Sequence, residues 1–125
     1  MLTVAKAPIE LVKKAWGTEQ VMVNDLEYCM KLLTLYPGFT SSLHYHRAKR
    51  ETFIVKKGWC FLEISKSNGD VDTLEMHVGD SFTIRPGVPH KFWLPLNVGK
   101  PCVIYEVSTH HDDTDVERLA PSGEL

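Results

Sequence analysis

Residues 38–58 read GFTSSLHYHRAKRETFIVKKG, and the spacing within this stretch decides how the chain is read. His44 and His46 stand two positions apart. On a strand over 42–46, successive side chains alternate between faces, so both imidazoles point the same way. Glu51 opens a second strand over 52–56, on which Glu51, Phe53 and Val55 share a face. A His-x-His pair alone is more often two polar groups on a solvated face than a metal site. Here the pair sits in a fixed frame: Gly38, five residues, His44-x-His46, four residues, Glu51, six residues, Gly58. His90 follows some way on, behind Pro86-Gly87-Val88-Pro89, at the start of another strand. Three imidazoles and one carboxylate suit a single divalent Fe, Mn, Zn or Ni ion and are too nitrogen-rich for Mg or Ca. On an octahedral ion, four such ligands leave two positions for substrate or water.

Working outward, Gly and Pro cut the chain at regular intervals: Pro37-Gly38, Gly58, Asn68-Gly69, Gly79, Pro86-Gly87, Pro95 and Gly99-Lys100-Pro101. Between the cuts lie short runs rich in Val, Ile, Phe, Tyr and Thr, read as strands over 19–23, 28–35, 42–46, 52–56, 59–65, 71–77, 81–84, 90–94 and 102–108. Short strands at this spacing point to an all-β sandwich or barrel. Asn68-Gly69 reads as a type I′ hairpin turn. Residues 7–16 are the one stretch compatible with a short helix, with Ile9, Val12 and Trp16 on one face. Residues 110–125 are polar and acidic and read as a loop or frayed end. Phe53, Phe61, Phe82 and Phe92 are expected inside, Trp59 and Trp93 on the outer face. The chain has 125 residues, 43% of them hydrophobic, which makes a single folded domain over 1–125 the expectation and excludes a two-lobed enzyme. A formal charge of −2 gives no electrostatic footprint for nucleic acid. No apolar run is long enough to span a membrane, and no signal peptide is seen. The three cysteines form no CxxC and fit reduced thiols in a cytoplasmic protein.

The first frame, with a second one of Gly79, Pro86-Gly87, two residues and His90, resembles the two motifs of the cupin superfamily. The resemblance implies a double-stranded β-helix, a jelly-roll-like barrel in which His44, His46, Glu51 and His90 bind one divalent metal. The second motif departs twice, with Arg85 where a proline is usual and Leu94 where an asparagine often stands. Ala15-Trp16-Gly17-Thr18-Glu19 and the segment 104–108 are similar to cupin-type phosphomannose isomerase domains. The ending with its acidic stretch is similar to small lyxose isomerases and to cupin domains of sialic acid synthases. Phosphomannose isomerase domains often carry Gln where His44 stands, so the metal shell is not simply theirs.

That likeness implies a sugar or sugar phosphate as ligand, aldose–ketose isomerisation as the reaction, and a homodimer paired through the outer sheet face. Such a reaction needs a metal on the sugar oxygens and a base that moves a proton between C2 and C1. Glu51 is one candidate base, although metal binding lowers its basicity. Lys49 shares parity with Glu51 and could point inward as acid, base or electrostatic partner; the alternative is a solvated lysine in the basic run 47–50. Lys91 stands where phosphomannose isomerase domains carry an arginine, but strand alternation turns it away from the His90 face; Arg85 or Lys31 is a weaker candidate for a phosphate, against a plain surface charge. His77 is read as exposed, and His110-His111 as either a weak second metal site or a solvated tail. Two other functions stay open from the residues: an Fe(II)-dependent dioxygenase, and a non-catalytic sugar-binding module.

Overall fold

The structure, a computed structural model, describes residues 4–125. Its strands follow the Gly and Pro punctuation: β1 (Glu10–Lys14), β2 (Gly17–Asn24), β3 (Cys29–Leu35), β4 (Phe39–Thr40), β5 (Leu43–Tyr45), β6 (Glu51–Lys57), β7 (Trp59–Ser65), β8 (Val71–His77), β9 (Ser81–Ile84), β10 (His90–Leu94), β11 (Cys102–Ser108), β12 (Glu117–Ala120) and β13 (Gly123–Glu124). A 3₁₀ turn spans Leu96–Val98, and no α-helix occurs among the described residues. One antiparallel sheet runs β1-β2-β3-β11-β6-β9. In the other, β10 is central. It pairs with β7, which continues to β8, and with β4 and β5, which carry β13 and β12 in turn. The all-β class expected from the alternating segments is the class observed.

Period two decides what each sheet buries. Strand β3 alternates buried Cys29, Lys31, Leu33 and Leu35 with half-buried neighbours, β10 does likewise, and β6 alternates buried Glu51, Phe53 and Val55 with half-buried or exposed ones. Leu33, Leu35, Phe53, Val55, Leu62, Met76, Leu94 and Ile104 pack into one apolar core. Each such side chain contributes roughly 1.5–3 kcal/mol when fully buried. In the first sheet the register sets Leu35 opposite Cys102 and Leu33 opposite Ile104, then Lys31 opposite Glu106 and Cys29 opposite Ser108. Strand β6 completes these rows with Phe53 opposite Glu106 and Glu51 opposite Ser108. The same inward face is therefore apolar at one end and ionic at the other, where Lys31, Lys49, Glu51, His90 and Glu106 are all buried.

Four local expectations are corrected. Residues 10–14 form an edge strand paired with β2, not part of a helix. Ile9 is exposed while Trp16 is buried, so the apolar residues share no face; Trp16 plugs the core edge-on to Phe92 at 5.3 Å. This hairpin depends on Gly17, whose place a Cβ could not take: it would meet the Thr34 carbonyl oxygen at 1.8 Å. The polar segment after 110 is not a loose loop. Its strands β12 and β13 pair with β5 and β4, closing a sheet edge whose backbone groups would otherwise be unpaired. Phe61 faces outward, because Cys60 and Leu62 take the inner positions of β7. It stacks on Trp93 at 4.3 Å, and Trp59 stacks on His77 at 5.6 Å. The turn at Asn68-Gly69 has positive φ only at Gly69 (+87°), so it is not type I′. Gly69 N–H donates to the Lys66 carbonyl and Lys66 N–H to the Asp70 carbonyl, which spreads the turn over five residues.

Candidate metal centre

Both sheets deliver the expected set to the ionic end of the sandwich. His44 on β5 lies directly opposite His90, the first residue of β10. His46 sits just past β5, and Glu51 begins β6 across the cavity. The imidazole centroids of His44 and His90 are 4.6 Å apart, and those of His44 and His46 5.1 Å. One donor atom from each of His44, His46, Glu51 and His90 lies within 4.8 Å of the others.

Hydrogen bonds at the outward ends of the rings fix their orientation. His44 Nδ1 donates to the Ser42 carbonyl at 2.8 Å, His90 Nδ1 to the Val88 carbonyl at 2.8 Å, and His46 Nδ1 to the Asp115 carbonyl at 2.6 Å. A carbonyl oxygen only accepts, so each Nδ1 carries a proton and each ring turns its Nε2 inward. Burial first, then the neighbouring His90, lowers the His44 pKa to about 4, and burial lowers that of His46 as well. Glu51 is buried, and burial alone would raise its pKa. The close His90 and the Lys49 ammonium outweigh it and hold the carboxyl well below the usual range. Glu51 Oε1 lies 2.6 Å from His90 Nε2, yet both are buried atoms without a directed hydrogen bond. Both atoms turn into the same buried space as the other two donors, as ligands that converge on one ion would. The donor set and its orphaned atoms fit a divalent ion of the Fe, Mn, Zn or Ni type.

Lys49 is 4% exposed, so the solvated alternative does not hold. Its ammonium lies 3.1 Å from Glu51 Oε2 and 3.0 Å from Glu106 Oε2. Burial alone would depress its pKa, but Glu106 and Glu51 reverse the direction and keep it charged. Glu106 is driven up, by burial first and then by the Glu51 charge. Sequence reasoning missed Glu106, although period two exposes it: Cys102, Ile104, Glu106 and Ser108 share one parity, and the first two are plainly core. The same rule would have moved Lys31 inward. It is 3% exposed and bonded to Glu19 at 2.8 Å, neither a surface charge nor a free phosphate ligand. Arg85 is exposed, and Lys91 lies opposite Glu63 in the register, away from the His90 face. His77 is exposed, as expected.

Residues 110–115 build the rest of the site. Asp115 accepts hydrogen bonds from the backbone N–H groups of Arg47, Ala48 and Lys49, clamping the loop between His46 and Glu51. His111 Nδ1 lies 3.2 Å from the Lys49 ammonium and Nε2 donates to Asp113 at 2.8 Å. His110 turns away to the Asp25 carbonyl while His111 faces Lys49 and Asp113, so the two rings do not converge on each other. The centre opens into a cavity of about 130 Å³ lined also by Trp16, Ser42, Phe92 and Arg118, room for about four waters.

The cupin domain family matches residues 31–108 of this chain. A D-lyxose/D-mannose isomerase of Thermosediminibacter oceani is 29% identical, over 74% of this chain and 62% of its own length. This chain thus spans less than two thirds of that relative. Among solved structures, oxalate decarboxylase from Bacillus subtilis superposes with a TM-score of 0.77 at 17% identity, over 89% of this chain and 30% of the other. The capsular polysaccharide assembling protein CapF from Staphylococcus aureus gives 0.77 at 18% identity, over 90% and 32%. These two likenesses concern the fold alone. No helix among the described residues is long and apolar enough to cross a membrane.

Proposed function

The chain belongs to the cupin family, and from that premise we propose that it is a metal-dependent aldose–ketose isomerase acting on a small sugar, free or phosphorylated. The observation that carries the reading is the buried Lys49–Glu106 pair, its ammonium 3.0 Å from the carboxylate, beside a four-residue metal set. Likeness to a lyxose/mannose isomerase supports the same direction. His44, His46, Glu51 and His90 would hold the ion. A divalent ion in that set supplies Lewis-acid polarisation of the sugar carbonyl and its neighbouring hydroxyl. The chain's own residues then handle the proton. Glu106, whose basicity burial raises, takes the proton from the hydroxyl-bearing carbon next to the carbonyl and returns it to the former carbonyl carbon, while the hydroxyl proton passes to the former carbonyl oxygen. Lys49 stays charged between two carboxylates and offsets the negative charge that grows on the sugar oxygens. Glu51, with one oxygen 2.6 Å from His90 and the other 3.1 Å from Lys49, is assigned to the metal rather than to the proton. Trp16 and Phe92 wall the cavity against bulk water.

The test gives metal-loaded protein mannose, fructose, lyxose and xylulose, each with and without a phosphate, and follows them by NMR in D₂O. Interconversion of one aldose–ketose pair is expected. In Lys49→Gln, kcat should fall by about 10²-fold or more with the metal stoichiometry kept. Absence of turnover across the whole panel overturns the reading.

A further inference from the structure

We propose that the cavity takes a polyhydroxylated ligand bearing an anionic group, a phosphate or a carboxylate, and that Arg118 at the mouth is the residue that recognises it. The inference deepens the isomerase reading by naming a substrate class, and it rests on that reading only for the polyol part.

Register carries the argument. On β12, Arg118 pairs with His44 of β5, and His44 pairs with His90 of β10. Residues directly opposite in antiparallel strands project their side chains to the same face. Arg118, His44 and His90 therefore form one row across three strands, all turned to the cavity that Arg118 lines. Neighbouring strands lie about 4.8 Å apart, so the Arg118 backbone stands about one strand spacing from His44 and two from His90. A ligand chelated at the metal set with one end would present its other end to this guanidinium.

Charge pairing singles out the same residue. Lys31 is neutralised by Glu19 at 2.8 Å, and Lys49 by Glu51 and Glu106. Lys14, on the far rim, leans on Glu19 at 3.7 Å. Asp113, the acid at the rim, is bonded to His111 and turned out to solvent. Among the described residues Arg118 has no ion pair and no side-chain hydrogen bond. An unpaired guanidinium beside a cavity is a fork for two oxygens of a carboxylate or phosphate. Ser42 and Ser122 line the same cavity and bring hydroxyl groups suited to a polyol.

Isothermal titration of metal-loaded protein with mannitol, mannonate and mannitol 6-phosphate tests this without any turnover. The wild type should bind at least one of the two acids about tenfold or more tightly than mannitol, and which acid it prefers tells carboxylate from phosphate. In Arg118→Gln, at unchanged metal content and thermal midpoint, that preference should vanish while mannitol binding stays. If Arg118→Gln does not fold, Arg118→Lys replaces it: the charge remains but the fork is lost, and the preference should fall by about threefold or more. A preference that survives the substitution puts the anion elsewhere and overturns the proposal, as does equal or absent binding of all three ligands. Anion preference without isomerisation would refute the isomerase reading and leave this one standing.

Discussion

Replacing Lys49 by Met should destabilise the protein strongly, and replacing Glu106 as well should restore much of what is lost. Lys49 is the hub of a buried charge triangle, with its ammonium 3.1 Å from Glu51 and 3.0 Å from Glu106. At an effective dielectric near 20, each contact is worth roughly 5 kcal/mol of Coulomb energy. Desolvation of three buried ions cancels much of that sum, so the triangle itself adds little net stability. Removing one corner is different, because two carboxylates then face each other with no cation. Glu106, already pushed up by burial and by Glu51, relieves the clash by taking a proton. The remaining cost is about 3–5 kcal/mol, the usual penalty for breaking a buried pair. Lys49→Met/Glu106→Gln removes the stranded acid and should recover at least about 2 kcal/mol relative to Lys49→Met, a clear coupling between neighbours. Urea denaturation of chelator-treated wild type, both single variants and the double variant at pH 7 supplies the cycle. Losses that add within about 0.5 kcal/mol would show Lys49 and Glu106 to be energetically independent and refute the reasoning.

The clamp at Asp115 gives a second prediction: Asp115→Ala should weaken metal binding about 10- to 100-fold with all four ligands intact, read by competition with a chelating dye; unchanged affinity counts against the clamp. Metal-free protein should lose stability as pH falls from about 6.5 towards 4. The unfolded imidazoles take protons near 6.5, whereas folded His44 refuses one down to about 4 and His46 is lowered too. The unfolded state therefore binds the excess protons and gains on acidification; a thermal midpoint constant from pH 7 to 4.5 would contradict this. Gly17→Ala must move backbone to clear the Thr34 carbonyl and should cost about 3 kcal/mol, while Gly79→Ala, where a Cβ meets nothing within 4 Å, should lose only about 1–2 kcal/mol from its left-handed backbone. Equal losses in chemical denaturation would refute the steric account.

The strands were legible because period two and turn residues are local signals. The runs 59–65, 71–77 and 102–108 carry both, and they form strands with those bounds. The four prospective ligands were legible for the same reason, since they sit in two short frames of fixed spacing. What stayed hidden depends on distant pairing. Strand β1 has five residues with little burial and exists because β2 offers it an edge. Strand β12 is exposed throughout and exists because β5 does the same. Asp115 and His111 lie in a segment with no apolar periodicity, so nothing local ties them to Lys49. Glu106 and Lys31 are within reach of the parity rule, but a charged residue on a strand points to solvent unless a distant partner neutralises it. Inside this sandwich they answer one another, with Glu106 opposite Lys31 in the register.

The hydrogen bond from His46 to the Asp115 carbonyl spans 69 positions of sequence. His44 and His90 find their carbonyl acceptors two residues away, on their own stretch of chain. His46 reaches its acceptor only because residues 112–120 lie across β5. The orientation of one prospective ligand therefore depends on a distant segment, while two others are oriented locally. The segment with the least sequence pattern is thus a latch on the geometry of the centre.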